Sequence, residues 1–77
     1  MPRLSPVSWQ VLARVFEAEG YTRDRTRGSH LVMTKEGAPR ALVIPRYDEV
    51  AVFIISGLLR TAGMRRTRYF ELLRRCR

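Results

Sequence analysis

The chain has few of the residues that build disulfides and metal centres. Its 77 residues include one cysteine, Cys76, and one histidine, His30. A single cysteine cannot form an internal disulfide, and the two residues together are too few for a zinc site. The chain also lacks paired carboxylates, a glycine-rich phosphate loop and a Ser-His-Asp order. It therefore lacks the catalytic residues of peptide and sugar hydrolases. We therefore expect no metal and no cofactor, and a reducing compartment.

Long apolar segments are missing too. The longest, Val50 to Ile55, is far shorter than the roughly 18 to 20 residues that span a bilayer. Met1 to Pro6 lacks the apolar core of a signal peptide. These absences predict a cytoplasmic protein without a membrane partner. A chain of 77 residues suffices for one small core, so we expect a single domain over residues 1–77.

Acidic residues are scarce relative to basic ones. Seven Asp and Glu accompany fifteen Lys and Arg, which gives a formal net charge of +8. Such an excess favours a polyanionic partner: nucleic acid, an acidic protein or an anionic membrane. All but one of the fifteen basic residues are Arg, whose guanidinium group binds two phosphate oxygens at once. The composition therefore favours a phosphate-bearing ligand.

The first half of the chain predicts a helix followed by a sheet. Ser5 is a predicted N-cap with Pro6 at the first helical position. The apolar face of the helix runs from Val7 to Phe16, and Gly20 stops the helix. Trp9 and Phe16 fit the core of a helix packed on a sheet better than a base-stacking surface. The next three segments predict a three-stranded antiparallel meander, and they are Tyr21–Arg25, Ser29–Thr34 and Arg40–Pro45.

The second half predicts two further helical segments. Val50 to Ile55 has strand propensity, but its apolar residues continue with helical spacing to Gly63, a glycine placed to end a helix. We therefore predict a helix there, and a short last one over Thr67 to Arg74. The resulting order is α-β-β-β-α plus a terminal helical turn. It defines an α+β fold with helices against one face of the sheet.

Four short motifs, taken in chain order, resemble the HicA family of toxin ribonucleases. They are RGSH at residues 27–30, VIP at 43–45, LLRTAG at 58–63 and YFELL at 69–73. The resemblance covers about residues 7–73. It implies a double-stranded-RNA-binding-domain-like fold, ribosome-independent cleavage of mRNA, and a HicB-type antitoxin that blocks the cleavage. It also assigns the catalytic role to His30.

Two segments depart from the family pattern. Between Pro45 and the following helix the family has a basic loop with a Gly-Thr pair, whereas this chain reads RYDEV at residues 46–50. At the start of the last helix the family has a capping Ser and acidic residues, whereas this chain has Arg65, Thr67 and Arg68. Positive charge at a helix start is disfavoured by the helix macrodipole. The departure suggests that these arginines meet an anion.

His30 has the chemistry that RNA cleavage without a metal requires. A base removes the 2′-hydroxyl proton, the oxygen attacks phosphorus, an acid protonates the departing 5′-oxygen, and cations stabilise the added charge. Imidazole can act in either proton transfer near neutral pH. With one histidine, the second proton transfer falls to Tyr47, to water or to no group. Strand alternation does not say which sheet face carries His30, since both faces contain apolar residues.

Cations and a turn surround this histidine in the sequence. Arg25, Arg27, Lys35 or Arg46 can supply positive charge, and Gly28 lets the backbone approach a phosphate. The last eighteen residues hold seven Arg and one acid, 7 − 1 = +6 of the formal charge. The predicted RNA-binding residues are Arg25, Arg27, Gly28, Ser29, Lys35, Arg46, Arg65, Arg66 and Arg68.

Two other functions stay open on the residues alone. A lone histidine at a strand start is more often a structural or surface residue, and a basic tail is commonly a solvated face. The chain would then be a non-catalytic RNA- or DNA-binding module, or an interaction protein whose arginines dock an acidic partner. Tyr21 and Tyr47 could stack on unpaired bases, although a tyrosine at the edge of a core is commoner.

Overall fold

A computed structural model describes residues 2–77 as three helices and a three-stranded antiparallel sheet. The elements are α1 (Trp9–Ala18), β1 (Thr22–Arg27), β2 (His30–Thr34), β3 (Leu42–Pro45), α2 (Val52–Ala62) and α3 (Arg66–Cys76). The predicted α+β fold and its element order are confirmed. The last helix, predicted as a short segment over Thr67 to Arg74, has eleven residues.

Helix α1 begins later than the sequence predicts. Its N-cap is Ser8, whose Oγ accepts a hydrogen bond of 3.3 Å from the backbone N–H of Val11. The predicted start at Ser5 and Pro6 is wrong because Val7 is extended and pairs with Val50 in an isolated antiparallel bridge. Val50 donates its backbone N–H to the Val7 carbonyl at 2.7 Å. This bridge holds the segment before α1 against the segment before α2.

The three strands form a meander in the order β1-β2-β3. Two residues, Gly28 and Ser29, connect β1 to β2. Between Arg23 and Arg25 the register of β1 shifts, so Asp24 is an extra residue in the strand. Such a β-bulge turns the side chains on its two sides to different faces of the sheet. The bulge therefore places Arg23 and Arg25 on different faces of the sheet.

The apolar run at residues 50–55 enters a helix, as predicted. Helix α2 spans Val52–Ala62, and its C-cap is Gly63, which has the left-handed φ of 66°. Ile55 is fully buried, whereas Phe53 is 78 % exposed. A helical period explains this alternation, because only one side of α2 faces the sheet.

One face of the sheet packs against the helices and the other stays open. The side chains of β2 and β3 that face the helices are all buried in one core with residues of the three helices. They are Leu31, Met33, Leu42 and Ile44. Phe16 lies in this core as predicted, with its ring edge-on to that of Tyr21. Trp9 packs against the core but is only half-buried. The predicted arrangement of helices on one sheet face is therefore confirmed.

Candidate nucleic-acid interface

His30 is the first residue of β2 and is exposed. Its neighbours Leu31 and Met33 point into the core between the sheet and the helices. Successive side chains of a strand alternate between faces, so His30 lies on the opposite, open face with Val32 and Thr34. The structure thereby settles the question that strand alternation left open.

A tight turn places His30 beside the end of β1. Gly28 has a φ of 60°, and a Cβ built on it would meet no atom within 4 Å. Glycine at the first position of a two-residue hairpin loop matches a tight turn that needs a positive φ. The left-handed backbone, rather than crowding, is thus what favours glycine here. Ser29 completes the loop and is exposed.

Two predicted arginines share the open face with His30. Arg27 is the direct cross-strand partner of His30, and Arg25 is the partner of Val32. Directly opposed residues have Cβ atoms about 5 Å apart on the same face of a sheet. Arg25 forms an ion pair with Asp24, whereas Arg27 makes none within residues 2–77. The imidazole therefore has an unpaired guanidinium group as its neighbour.

Arg46 joins the same end of the sheet from the other side of β2. Its backbone N–H donates to the Ser29 carbonyl at 2.7 Å. Its guanidinium carbon lies 4.8 Å from the centre of the Trp9 ring. This arginine thus links the hairpin turn that carries His30 to the start of α1.

Tyr47, the predicted source of a second acid or base, lies near this end as well. Its side chain is 49 % exposed, and its backbone carbonyl accepts a hydrogen bond of 3.1 Å from the N–H of Trp9. Pro45, two residues earlier, is the cross-strand partner of His30 in β3. The antiparallel pairing of β2 with β3 therefore holds the segment from Pro45 to Tyr47 close to His30.

Lys35 lies at the opposite end of β2 from His30. Four residues lie between them, so their Cα atoms are five steps apart, or about 16 Å at the usual rise. The Lys35 ammonium sits 5.6 Å from the centre of the Tyr21 ring, and its stem packs beside Gly20. The structure does not bring Lys35 together with the histidine.

The three predicted arginines of the C-terminal segment belong to the helical layer. Helix α3 packs chiefly against α1, and Arg68 Nε lies 3.1 Å from Glu19 Oε1. Arg65 caps the helix without a side-chain hydrogen bond, and the first turn holds no acidic residue. Arg65 and Arg66 are exposed, and within residues 2–77 they form no ion pair. They are separated from the open face of His30 by the sheet.

A further basic surface contains two of the predicted RNA-binding residues, Arg25 and Arg46, together with Trp9, which was predicted as a core residue. A cleft of about 400 Å³ opens between α1 and the edge of β1. Its lining residues are Trp9, Arg23, Asp24, Arg25, Thr26, Leu31 and Arg46. The bulge that turns Arg23 toward Trp9 has no sequence signature, and the spacing of Trp9 along α1 indicated only a core residue.

Two structural observations concern other kinds of site. Among residues 2–77, no three His, Cys, Asp or Glu side chains are grouped closely enough to hold a metal ion. In the same part of the chain, no helix combines the length and apolarity needed to cross a bilayer.

The fold and this surface define a small basic α+β domain that presents one imidazole and several arginines at one end of a sheet. The chain belongs to the HicA toxin family, because the family model described as HicA toxin of bacterial toxin-antitoxin matches residues 9–64. The family consists of toxins that generally cleave mRNA. The matched range includes the whole sheet and α2 but stops before α3. Neither the curated proteins nor the solved structures contain a match to the chain.

Proposed function

We propose that this toxin is a metal-independent endoribonuclease in which His30 transfers the proton during cleavage of mRNA in the cytoplasm. The observation that carries the proposal is the exposed position of His30 on the open sheet face, directly opposite Arg27. An imidazole can act as base or acid near neutral pH. A neighbouring guanidinium group can bind the phosphate whose bond is broken.

The reaction follows from these two groups. His30 removes the proton of the 2′-hydroxyl group, whose oxygen attacks the adjacent phosphorus and forms a 2′,3′-cyclic phosphate. The 5′-oxygen leaves and takes up a proton from Tyr47 or from water. Arg27, with Arg25 two pairs further along the ladder on the same face, stabilises the negative charge that develops on the phosphate oxygens.

Purified wild-type and His30→Ala proteins test the proposal on single-stranded RNA in the presence of EDTA. We expect the wild type to produce fragments ending in a 2′,3′-cyclic phosphate. The variant should cleave at least about 100-fold more slowly, because general acid–base catalysis contributes that much or more. Substituting a 2′-deoxyribose at the cleaved position should protect the RNA from the wild type.

Thermal unfolding of both proteins serves as the control. His30 is exposed, so the substitution should change the free energy of unfolding by about 1 kcal/mol or less. Undiminished cleavage by a folded His30→Ala protein would end the catalytic assignment. RNA binding by a wild type that cleaves nothing would favour the non-catalytic binding module instead.

We further propose that the antitoxin is of the HicB type and acidic. A net charge of +8 is complementary to a partner whose carboxylates occupy the phosphate-binding surface. The complex should shield His30 and the segment from Arg25 to Arg27. Hydrogen exchange of the toxin with and without its antitoxin measures this shielding, and unchanged exchange at residues 25–30 would contradict it.

A further inference from the structure

The cleft beside β1 combines an aromatic ring with guanidinium groups. The indole of Trp9 is half-buried, and the guanidinium carbons of Arg46 and Arg23 lie 4.8 and 5.9 Å from its centre. Leu31 and Thr26 line the same cleft. Its volume of about 400 Å³ falls within the range of small-ligand sites.

The bulge at Asp24 distributes arginines to both sides of this sheet edge. Without the extra residue, Arg23 and Arg25 would lie on the same face. With it, Arg23 pairs with Met33, whose side chain is in the core, and Arg25 pairs with Val32. A polyanion that crosses the edge of β1 therefore meets guanidinium groups on both faces of the sheet.

Positive charge in the cleft is only partly neutralised. Glu17 accepts hydrogen bonds from Nε and Nη2 of Arg23, which leaves Nη1 free of this carboxylate. Asp24 is the one carboxylate lining the cleft, and it is paired with Arg25. The Arg46 side chain makes no ion pair with any residue between 2 and 77. The cleft is therefore suited to an anionic ligand.

The indole narrows the class of ligand to a nucleotide. Proteins bind single-stranded RNA by stacking unpaired bases on aromatic rings and guanidinium planes while arginines hold the phosphates. An inorganic anion has no ring to stack on the exposed part of the indole, so the indole would not add to its binding affinity. The ring of Trp9 and the guanidinium groups of Arg23 and Arg46 provide both kinds of contact within one cleft.

The cleft and His30 lie at the same end of the sheet but on opposite faces of β2, joined across the edge of β1. Leu31, which lines it, directly follows His30 in β2, and the Arg46 backbone is hydrogen-bonded to Ser29. We propose that Trp9, Arg23 and Arg46 form a nucleotide-binding subsite for an RNA strand that crosses the edge of β1 to place its cleaved bond at His30. The subsite rests on the proposed ribonuclease function, which it deepens by naming the residues that bind a base and its phosphate away from the reacting bond.

Intrinsic fluorescence reports directly on this subsite, since Trp9 is the single tryptophan of the chain. A short single-stranded RNA is titrated into His30→Ala protein, which leaves the RNA uncut. We expect the RNA to quench the Trp9 emission. Arg46→Gln in the same background should weaken the binding by roughly 10- to 150-fold, the factor that one charged hydrogen bond to a phosphate represents.

Arg40→Gln is the matched control, because it removes the same charge from an exposed residue outside the cleft. It should leave the affinity nearly unchanged. Trp9→Phe, which keeps an aromatic ring against the core, should weaken binding less than Arg46→Gln does. Because this variant lacks the tryptophan, its affinity and that of Arg46→Gln are compared by the anisotropy of a fluorescently labelled RNA. Unfolding curves establish that each variant is folded.

The outcomes separate the subsite from the catalytic proposal. Quenching that depends on Arg46, together with a wild type that cleaves no RNA, leaves the subsite standing and ends the ribonuclease assignment. Cleavage with no quenching, and with the same KM in Arg46→Gln as in the wild type, overturns the subsite. Weakened binding of the antitoxin but not of RNA in Arg46→Gln also overturns it.

Discussion

Tyr69 carries a hydroxyl group that is fully buried and has no hydrogen-bond partner among residues 2–77. The residue is 1 % exposed, and its ring packs edge-on against Phe70. Burial raises the pKa of Tyr69, an effect that the positive charge of Arg77 partly offsets. An unsatisfied polar atom in the core destabilises the folded state, since its hydrogen bond to water is lost without replacement.

Replacing Tyr69 by Phe should therefore stabilise the protein. We expect the free energy of unfolding at neutral pH to rise by about 1 kcal/mol, since an unsatisfied buried group costs about 1 to 3 kcal/mol. The pKa of Tyr69 is higher in the folded than in the unfolded protein. The wild type should therefore lose stability as the pH rises above about 10, where the unfolded state ionises first, and at lower pH the ionisation of Tyr69 should not change the free energy of unfolding. Denaturant unfolding at neutral pH and above pH 10 should show the advantage of Tyr69→Phe growing with pH.

Tyr21→Phe is the matched control for this experiment. Tyr21 is also buried, at 3 % exposure, but its hydroxyl is not among the unsatisfied buried atoms. Its replacement should bring no comparable gain at either pH. A Tyr69→Phe protein less stable than the wild type would indicate that the hydroxyl group has a partner.

Residue types predicted His30 as a candidate site residue with Arg25, Arg27 and Arg46 near it, but they did not predict that Trp9 lies beside these arginines. The RGSH motif predicted His30 as the catalytic residue, and the excess of Arg over Lys indicated a phosphate-bearing ligand. The contact between Trp9 and Arg46 joins residues far apart in the chain, so it depends on the tertiary fold. Apolar spacing along α1 correctly placed Phe16 in the core, but it could not show that the ring of Trp9 reaches the edge of the sheet.

At the scale of elements, local signals predicted the end of α2 better than the start of α1. Gly63 ends α2 because a left-handed residue there satisfies the last carbonyls, and glycine adopts that conformation without strain. Ser5 and Ser8 are equally good capping residues by type. The bridge between Val7 and Val50 decides between them, and this long-range pairing leaves no mark in local sequence.

Two glycine substitutions test these local requirements in opposite directions. Gly28→Ala should lower the free energy of unfolding by about 1 to 2 kcal/mol, because a φ of 60° is unfavourable for a residue with a Cβ. Gly57→Ala should raise it by about 0.5 to 1 kcal/mol, because Gly57 lies within α2 and its added Cβ meets no atom within 4 Å. Denaturant unfolding of the two variants measures both changes.

The same pair separates turn geometry from stability in the functional assay. Gly28→Ala should also reduce RNA cleavage, since the turn sets the position of His30 against Arg27. Gly57→Ala should leave cleavage unchanged, because α2 lies on the other side of the sheet. A Gly28→Ala protein as stable as the wild type would show that the hairpin relaxes to another turn.

At the scale of the whole molecule, the positive charge is divided between the end of the sheet that carries His30 and the start of α3. The open face carries Arg25 and Arg27 beside His30, whereas Arg65 and Arg66 lie at the start of α3 in the helical layer. Arg68 is engaged by Glu19, so it is less available to a phosphate than its sequence position suggested. The molecule measures 33 × 27 × 20 Å, so one short RNA cannot reach both surfaces.

RNA length should therefore decide whether the α3 arginines contribute to binding. For a long single-stranded RNA, Arg65→Gln with Arg66→Gln should make the slope of log affinity against log salt shallower by up to about 1.4, since each phosphate contact adds about 0.7. For a trinucleotide held at His30 the slope should not change. Replacing Arg40 and Arg60, which are also exposed, removes the same charge and is the control for a general electrostatic effect. An identical loss for short and long RNA would place the bound strand on α3, and an unchanged slope for both would leave Arg65 and Arg66 as solvated residues or antitoxin contacts.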